Sequence, residues 1–145
     1  METILVIDDE KDLVMIIKDA LEANGYNVLT AYNGFDGIEM SRKKPDLIIL
    51  DIMMPDIDGF NVCNLIRDNV DCPILFLSAK DSEGDKIKGL AIGGDDYITK
   101  PFSLKELVSR VKAHLRREKR KTKQENNNYL NFKNIKEYYS SLGFL

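Results

Sequence analysis

Five short apolar runs, separated by segments of helical periodicity, predict an open α/β sandwich of five strands and five helices. The runs ILVI and LIIL are continuously apolar, which suits parallel strands covered on both faces rather than strands with one wet side. A chain of 145 residues, 43% of them hydrophobic, is enough for one compact domain with its own core.

The strands are expected at Thr3–Ile7, Asn27–Ala31, Asp46–Leu50, Pro73–Leu77 and Tyr97–Thr99. Between the first two, Leu13, Ile16, Ile17, Ala20 and Leu21 recur at helical spacing, and Gly25 stands where a helix stop belongs. A second helix is expected over Phe35–Arg42, closed by Pro45, a third over Gly59–Asn69 and a fourth over Asp81–Ile92. The fifth starts at Ser103, an N-cap with Glu106 three residues on, and buries Leu104, Leu107, Val108, Val111 and Leu115.

Charge is unevenly divided: residues 1–115 carry a formal −8 and residues 116–145 a formal +5. An acidic domain argues against nucleic-acid binding by the domain itself, and the basic run RREKRK at 116–121 reads as a solvated helix end and linker. Cys63 and Cys72 have neither metal-ligand spacing nor a disulfide framework, and the isolated His114 is expected at the surface. The start METILVIDDE has no basic n-region, and no apolar run reaches the ~18 residues of a membrane span. A soluble, cytoplasmic protein is expected.

In open α/β sheets, ligand sites form at the carboxyl ends of the strands. There the sequence places Asp8, Asp9 and Glu10 after the first strand, Asp51 after the third, Ser78 after the fourth and Lys100 after the fifth. Each has an ordinary structural role available: Asp8 or Asp9 as a helix cap, Asp51 opening the turn at Pro55–Gly59, Ser78 as a loop hydroxyl, Lys100 as a solvated charge. Together they are harder to explain that way, because clustered carboxylates raise one another's pKa and one lysine does not offset three. Mg²⁺, which takes one or two carboxylates and keeps several waters, is the natural partner. Asp9 and Asp51 can ligate it, with Asp8 holding a metal-bound water. A carboxylate beside such an ion can act as nucleophile toward phosphorus, with Mg²⁺ and Lys100 neutralising charge and Ser78 donating a hydrogen bond.

The segments ILVIDDE, LIILDIMMPDIDGF, PILFLSA and GGDDYITKPF resemble the receiver domain of bacterial response regulators, over roughly residues 1–120. The resemblance implies the doubly wound flavodoxin-like strand order 2-1-3-4-5. It implies Asp51 as phosphoacceptor from a sensor histidine kinase, Asp8 and Asp9 as the acidic pocket, and the Met53 backbone carbonyl as a further metal ligand. It also implies Lys100 as phosphoryl partner, a cis bond before Pro101, and a switch made of Ser78 and Tyr97. Such a protein is an acceptor that assists its own phosphorylation and dephosphorylation, not an enzyme.

The run GLAIGGDDYITKPFSLKELVSRVKAHLRR is similar to the OmpR/PhoB subfamily of transcription regulators. Glu106, Arg110, Ala113 and Arg117 follow one another at spacings that put them on one helix face. The resemblance implies reciprocal pairs Lys88–Glu106, Asp96–Arg110 and Asp95–Arg117 across a two-fold homodimer built on the fourth helix, fifth strand and fifth helix. Ala91 departs from the acidic residue often found there. A solvated, salt-bridged surface is the plain alternative. The expected organisation is a receiver domain over 1–118, a charged linker over 119–128, and over 129–145 the start of a winged-helix DNA-binding domain or an unordered tail. In that reading YLNFKNI, residues 129–135, is the opening strand, the closing segment with Phe132, Ile135, Tyr138, Tyr139, Leu142 and Phe144 is unordered or packs on a neighbour, and DNA is reached only through a domain this chain lacks.

Three other classes compete. A flavodoxin-like nucleotide or flavin binder needs a Gly/Ser/Thr-rich phosphate loop after the first strand, where this chain has IDDEKD. A Mg²⁺-dependent phosphohydrolase would use the same aspartates, and catalytic release of phosphate without a stable adduct would reveal it. A scaffold that never takes phosphate has no need of the full acidic set with Lys100.

Overall fold

The computed structural model describes residues 1–143, the side chains of 126–134 and 138 excepted. Five strands, β1 (Thr3–Ile7), β2 (Asn27–Ala31), β3 (Leu47–Leu50), β4 (Ile74–Ser78) and β5 (Asp96–Thr99), alternate with helices α1 (Lys11–Ala23), α2 (Gly34–Ser41), α3 (Gly59–Ile66), α4 (Glu83–Ala91) and α5 (Leu104–Ser141). All strand pairs are parallel, in the order β2-β1-β3-β4-β5. This is the open α/β sandwich that the apolar runs predict, with the doubly wound strand order that the resemblance implies.

The strands differ by position in the sheet. β3 and β4 are buried along their whole length and β1 from Ile4 onward, whereas the edge strands β2 and β5 are largely half-exposed. Continuous apolar runs are therefore the mark of the three central strands, which lose both faces to helices. On one face Leu5, Ile7, Ile48, Leu50, Ile74 and Phe76 join Phe60, Val62, Cys63 and Ile66 of α3 in a single core. The alternate residues Ile4, Val6, Ile49, Leu75 and Leu77 are equally buried and, by the pleat, point to the other face.

The boundaries of α1 to α4 fall within a few residues of expectation, and α1 is capped by Asn24 with Gly25 at φ +88°. Its buried face differs, however. Val14, Ile17 and Leu21 form the stripe, while Ile16 is 53% exposed. With four apolar residues in a row, VMII, two registers of the stripe are possible, and i, i+3, i+7 from Val14 is the one used. His114, expected at the surface, is 8% exposed. It follows Val111 by three residues and precedes buried Leu115, so it shares their stripe.

Contacts divide the chain into two units, 1–112 and 113–145. The first holds the sheet with α1 to α4 and the start of α5. In the second, the backbone is helical through Ser141, where a linker and an opening strand were the expectation. Between Phe102 and Leu142 the sequence has neither Gly nor Pro and many Lys, Arg, Glu and Gln, so nothing stops the helix before Gly143. Ile135, Tyr139 and Leu142 are about half-exposed on it, while the side chains of Phe132 and Tyr138, and all of Phe144, lie outside the described residues. No helix among the described residues is long and apolar enough to cross a membrane.

Candidate functional site: an acidic pocket at the carboxyl edge of the sheet

The parallel register brings the ends of β1, β3, β4 and β5 to one edge. Asp8 follows β1, Asp51 follows β3, Ser78 closes β4 and Lys100 follows β5. Asp8, Asp51 and Ser78 are 2%, 3% and 0% exposed, so two carboxylates are held nearly dry at the bottom of the edge. One carboxylate oxygen from each of Asp8, Asp9 and Asp51 lies within 4.8 Å of the others, with Asp9 the exposed member.

Lys100 is the cation among them. Its Nζ donates to Asp8 Oδ2 at 2.9 Å and to Glu10 Oε1 at 3.1 Å, and stands 3.8 Å from Asp51 Oδ2. The Lys100–Pro101 bond is cis. Glu10, which the sequence places at this edge without a role, takes one here. It occupies the N-cap position of α1 but makes no capping bond with its side chain, which reaches Lys100 instead. A Glu where a short capping residue is favoured was the available signal.

One lysine does not neutralise this group. Burial first, then the Asp8 charge, push the Asp51 carboxyl up to about 6, against the opposing pull of Lys100. Burial likewise raises Asp8, although the Glu10 N–H and Lys100 oppose it. Dry carboxylate oxygens in excess of positive charge, with an exposed third carboxylate at the rim, are a donor set that a hard divalent cation fits. Asp51 keeps one oxygen engaged, since Oδ1 accepts from the Ile52 N–H at 2.8 Å.

The loop after Asp51 is built to return tightly. A Cβ on Gly59 would lie 2.1 Å from the Asp51 carbonyl oxygen, so glycine is required there. Asp58 caps α3 by accepting from Asn61 N–H at 2.9 Å. Met53, in the loop that follows Asp51, is 56% exposed.

Ser78 and Tyr97 are joined through Lys80. Ser78 Oγ accepts from the Lys80 N–H at 3.2 Å, and the Tyr97 hydroxyl donates to the Lys80 carbonyl at 2.5 Å. The Tyr97 ring packs on Phe76 with centroids 6.0 Å apart. Burial is the first cause that pushes its phenol up to about 12.

A sequence model described as the response regulator receiver domain matches residues 4–112. The chain belongs to that family. Among solved structures, the receiver domain of the Francisella response regulator 1452 is 38% identical, with a TM-score of 0.78, over 81% of this chain and 99% of that one. A two-component response regulator from Clostridium difficile gives 38% and 0.78 over 81% and 98%. The BeF3-activated N-terminal receiver domain of Klebsiella pneumoniae RstA gives 33% and 0.75 over 79% and 98%. This is thus a receiver domain of a two-component response regulator, a phosphoacceptor by family.

Lys88, Asp95, Asp96, Glu106 and Arg110, expected at a two-fold interface, have partners within the chain. Arg110 donates to Asp96 Oδ1 at 2.8 Å and to Glu106 Oε1 at 2.7 Å. Asp95 accepts from the Ile74 N–H at 2.8 Å and lies 3.5 Å from Arg67, and Lys88 Nζ sits 4.7 Å from the Phe60 ring centroid. Arg117 is exposed.

Proposed function

We propose that Asp51 is the phosphoacceptor of this receiver domain, that the cation beside it is Mg²⁺, and that phosphorylation promotes dimerisation through α4, β5 and α5. The observation that carries the reading is the dry, electron-rich Asp51 carboxylate set between Asp8 and Lys100 at the carboxyl edge of the sheet.

In the reaction, an Asp51 carboxylate oxygen attacks phosphorus of a phosphohistidine on a sensor kinase. The P–O bond forms as the P–N bond breaks, and the leaving imidazole takes up a proton. Asp8, Asp9, Asp51 and the Met53 carbonyl would hold the cation, and Mg²⁺ when bound neutralises charge on the phosphoryl oxygens. Lys100 moves from Asp8 and Glu10 toward the new phosphoryl group, which is within reach because it already stands 3.8 Å from Asp51. Ser78 Oγ turns toward the phosphoryl oxygen, which loosens the Lys80 turn that also holds the Tyr97 hydroxyl. β5 and α4 carry that change to the face bearing Lys88, Asp95, Asp96, Glu106 and Arg110. We place the protein in the cytoplasm and in the OmpR/PhoB class, whose output is transcription through a DNA-binding domain. The chain itself is a switch and not a turnover enzyme.

Incubation with Mg²⁺ and a small acyl phosphate, followed by intact-mass measurement, tests this. One phosphoryl group should be added to the wild type and none to Asp51→Ala. Catalytic release of phosphate from small esters without an adduct would favour a phosphohydrolase instead.

A further inference from the structure

The loop from Met53 to Asp58 carries the carbonyl proposed to meet the cation, and its ends are fastened by the Gly59 N–H to Ile52 carbonyl bond at 2.8 Å and by the Asp58 cap. Its middle is fastened elsewhere. The first N–H groups of a helix have no partner in their own helix. In α2 the first two are taken by a single carboxylate: Gly34 N–H donates to Asp56 Oδ1 and Phe35 N–H to Asp56 Oδ2, each at 2.9 Å. The next two go to Asn33, Asp36 N–H to its side chain at 2.8 Å and Gly37 N–H to its carbonyl at 3.0 Å. Asp56 therefore completes the start of α2 from 22 residues away in sequence.

A second feature marks the same junction. A Cβ on Gly34 would lie 2.1 Å from Ile57 Cγ2 and 2.8 Å from the Ile57 carbonyl oxygen, so the loop seats on α2 at a distance only glycine allows. Ile57 packs in turn against the core beneath the sheet edge. A two-point carboxylate clamp and a glycine seat fix one loop segment to one helix start, and the clamp carries a charge favoured by the helix dipole.

We propose that Asp56 is a positioning residue for cation binding in the acidic pocket: by holding the loop to α2 it presents the Met53 carbonyl at the height of Asp51. The inference rests on the cation reading above. Groups that orient a metal's ligands are worth about a tenfold or greater change in metal affinity when removed. Asp56→Ala should raise the Mg²⁺ dissociation constant, read by calorimetry, about tenfold. Asp56→Asn keeps one acceptor oxygen and should fall between Ala and wild type. At saturating Mg²⁺ the phosphorylation rate should stay within about twofold of wild type, because no group that touches the phosphoryl is lost.

A folded Asp56→Ala with wild-type Mg²⁺ affinity overturns the clamp and leaves the acidic-pocket reading intact. Absence of Mg²⁺ binding by the wild type overturns both. Should the variants not fold, the wild type still decides. Coupling is reciprocal, so Mg²⁺ should shift the Gly34 and Phe35 amide resonances with the same midpoint as Asp51. Amides that stay still while Asp51 responds overturn the proposal.

Discussion

Asp51 is held in a place that costs stability when it ionises, and this has a measurable sign. Its carboxyl is raised from 3.8 to about 6, chiefly by burial, so the folded state binds the proton more tightly than the unfolded chain. The stabilising share of that proton is full below pH 3.8 and is lost as pH rises through about 6. Stability in Mg²⁺-free buffer should therefore decline over that window. Asp51→Asn has no proton to lose and should be more stable than wild type at neutral pH by about 1–3 kcal/mol, at about 1.4 kcal/mol per pH unit of displacement. Urea unfolding across the window, with chelator present, measures this, and equal stabilities would show that burial does not strain the acceptor. The acidic residues at the strand ends were legible in the sequence because strand ends are legible: apolar runs stop where the first polar residue leaves the sheet. Glu10 was not, since its role depends on Lys100, 90 residues away. Asp56 was not either, because its partners are backbone N–H groups, which leave no trace in side-chain identity.

At the scale of elements, the segment between β3 and α3 does three local jobs with three residues. Gly59 permits the close return to Asp51, Asp58 caps α3 and Asp56 closes α2. Asp58→Ala should cost about 1 kcal/mol of stability, the usual worth of such a cap, and chemical denaturation reads it directly. A change near zero would mean that α3 begins equally well on water. The same scale shows where periodicity misleads. The VMII run of α1 admits two registers, and only packing against the sheet selects Val14 over Ile16. A charged stretch without apolar repeat reads as a linker, yet α5 continues through it, since Lys, Arg, Glu and Gln are good helix formers and no stop residue intervenes. The signal for that was present in the sequence as an absence of Gly and Pro.

For the molecule as a whole, the strand order followed from matching the motifs to a family, while the sandwich itself followed from alternation and continuous apolar strands. The proposed dimer face has a new feature once seen folded. Arg110 is already bound to Asp96 and Glu106 in its own chain, so a two-fold partner must exchange these contacts rather than find bare charges. The net gain per pair is then small, so the proposed assembly would draw on the rearrangement proposed to follow phosphorylation. Arg110→Glu should keep the phosphorylated protein monomeric at concentrations where wild type dimerises, in sedimentation experiments. Its monomer should be less stable by about 1 kcal/mol or somewhat more, because a part-buried pair with Asp96 is lost and the new carboxylate faces Asp96 and Glu106. Undiminished dimerisation would place the interface elsewhere. Phosphorylation is assigned to a single atom group, the Asp51 carboxylate. This is tested most directly by phosphorylating the protein, reducing the acyl phosphate with borohydride, and mapping the peptides by mass spectrometry. The reduced product, homoserine, should stand at position 51 and nowhere else; homoserine at position 8, 9 or another carboxylate's position, with Asp51 unchanged, would contradict that assignment.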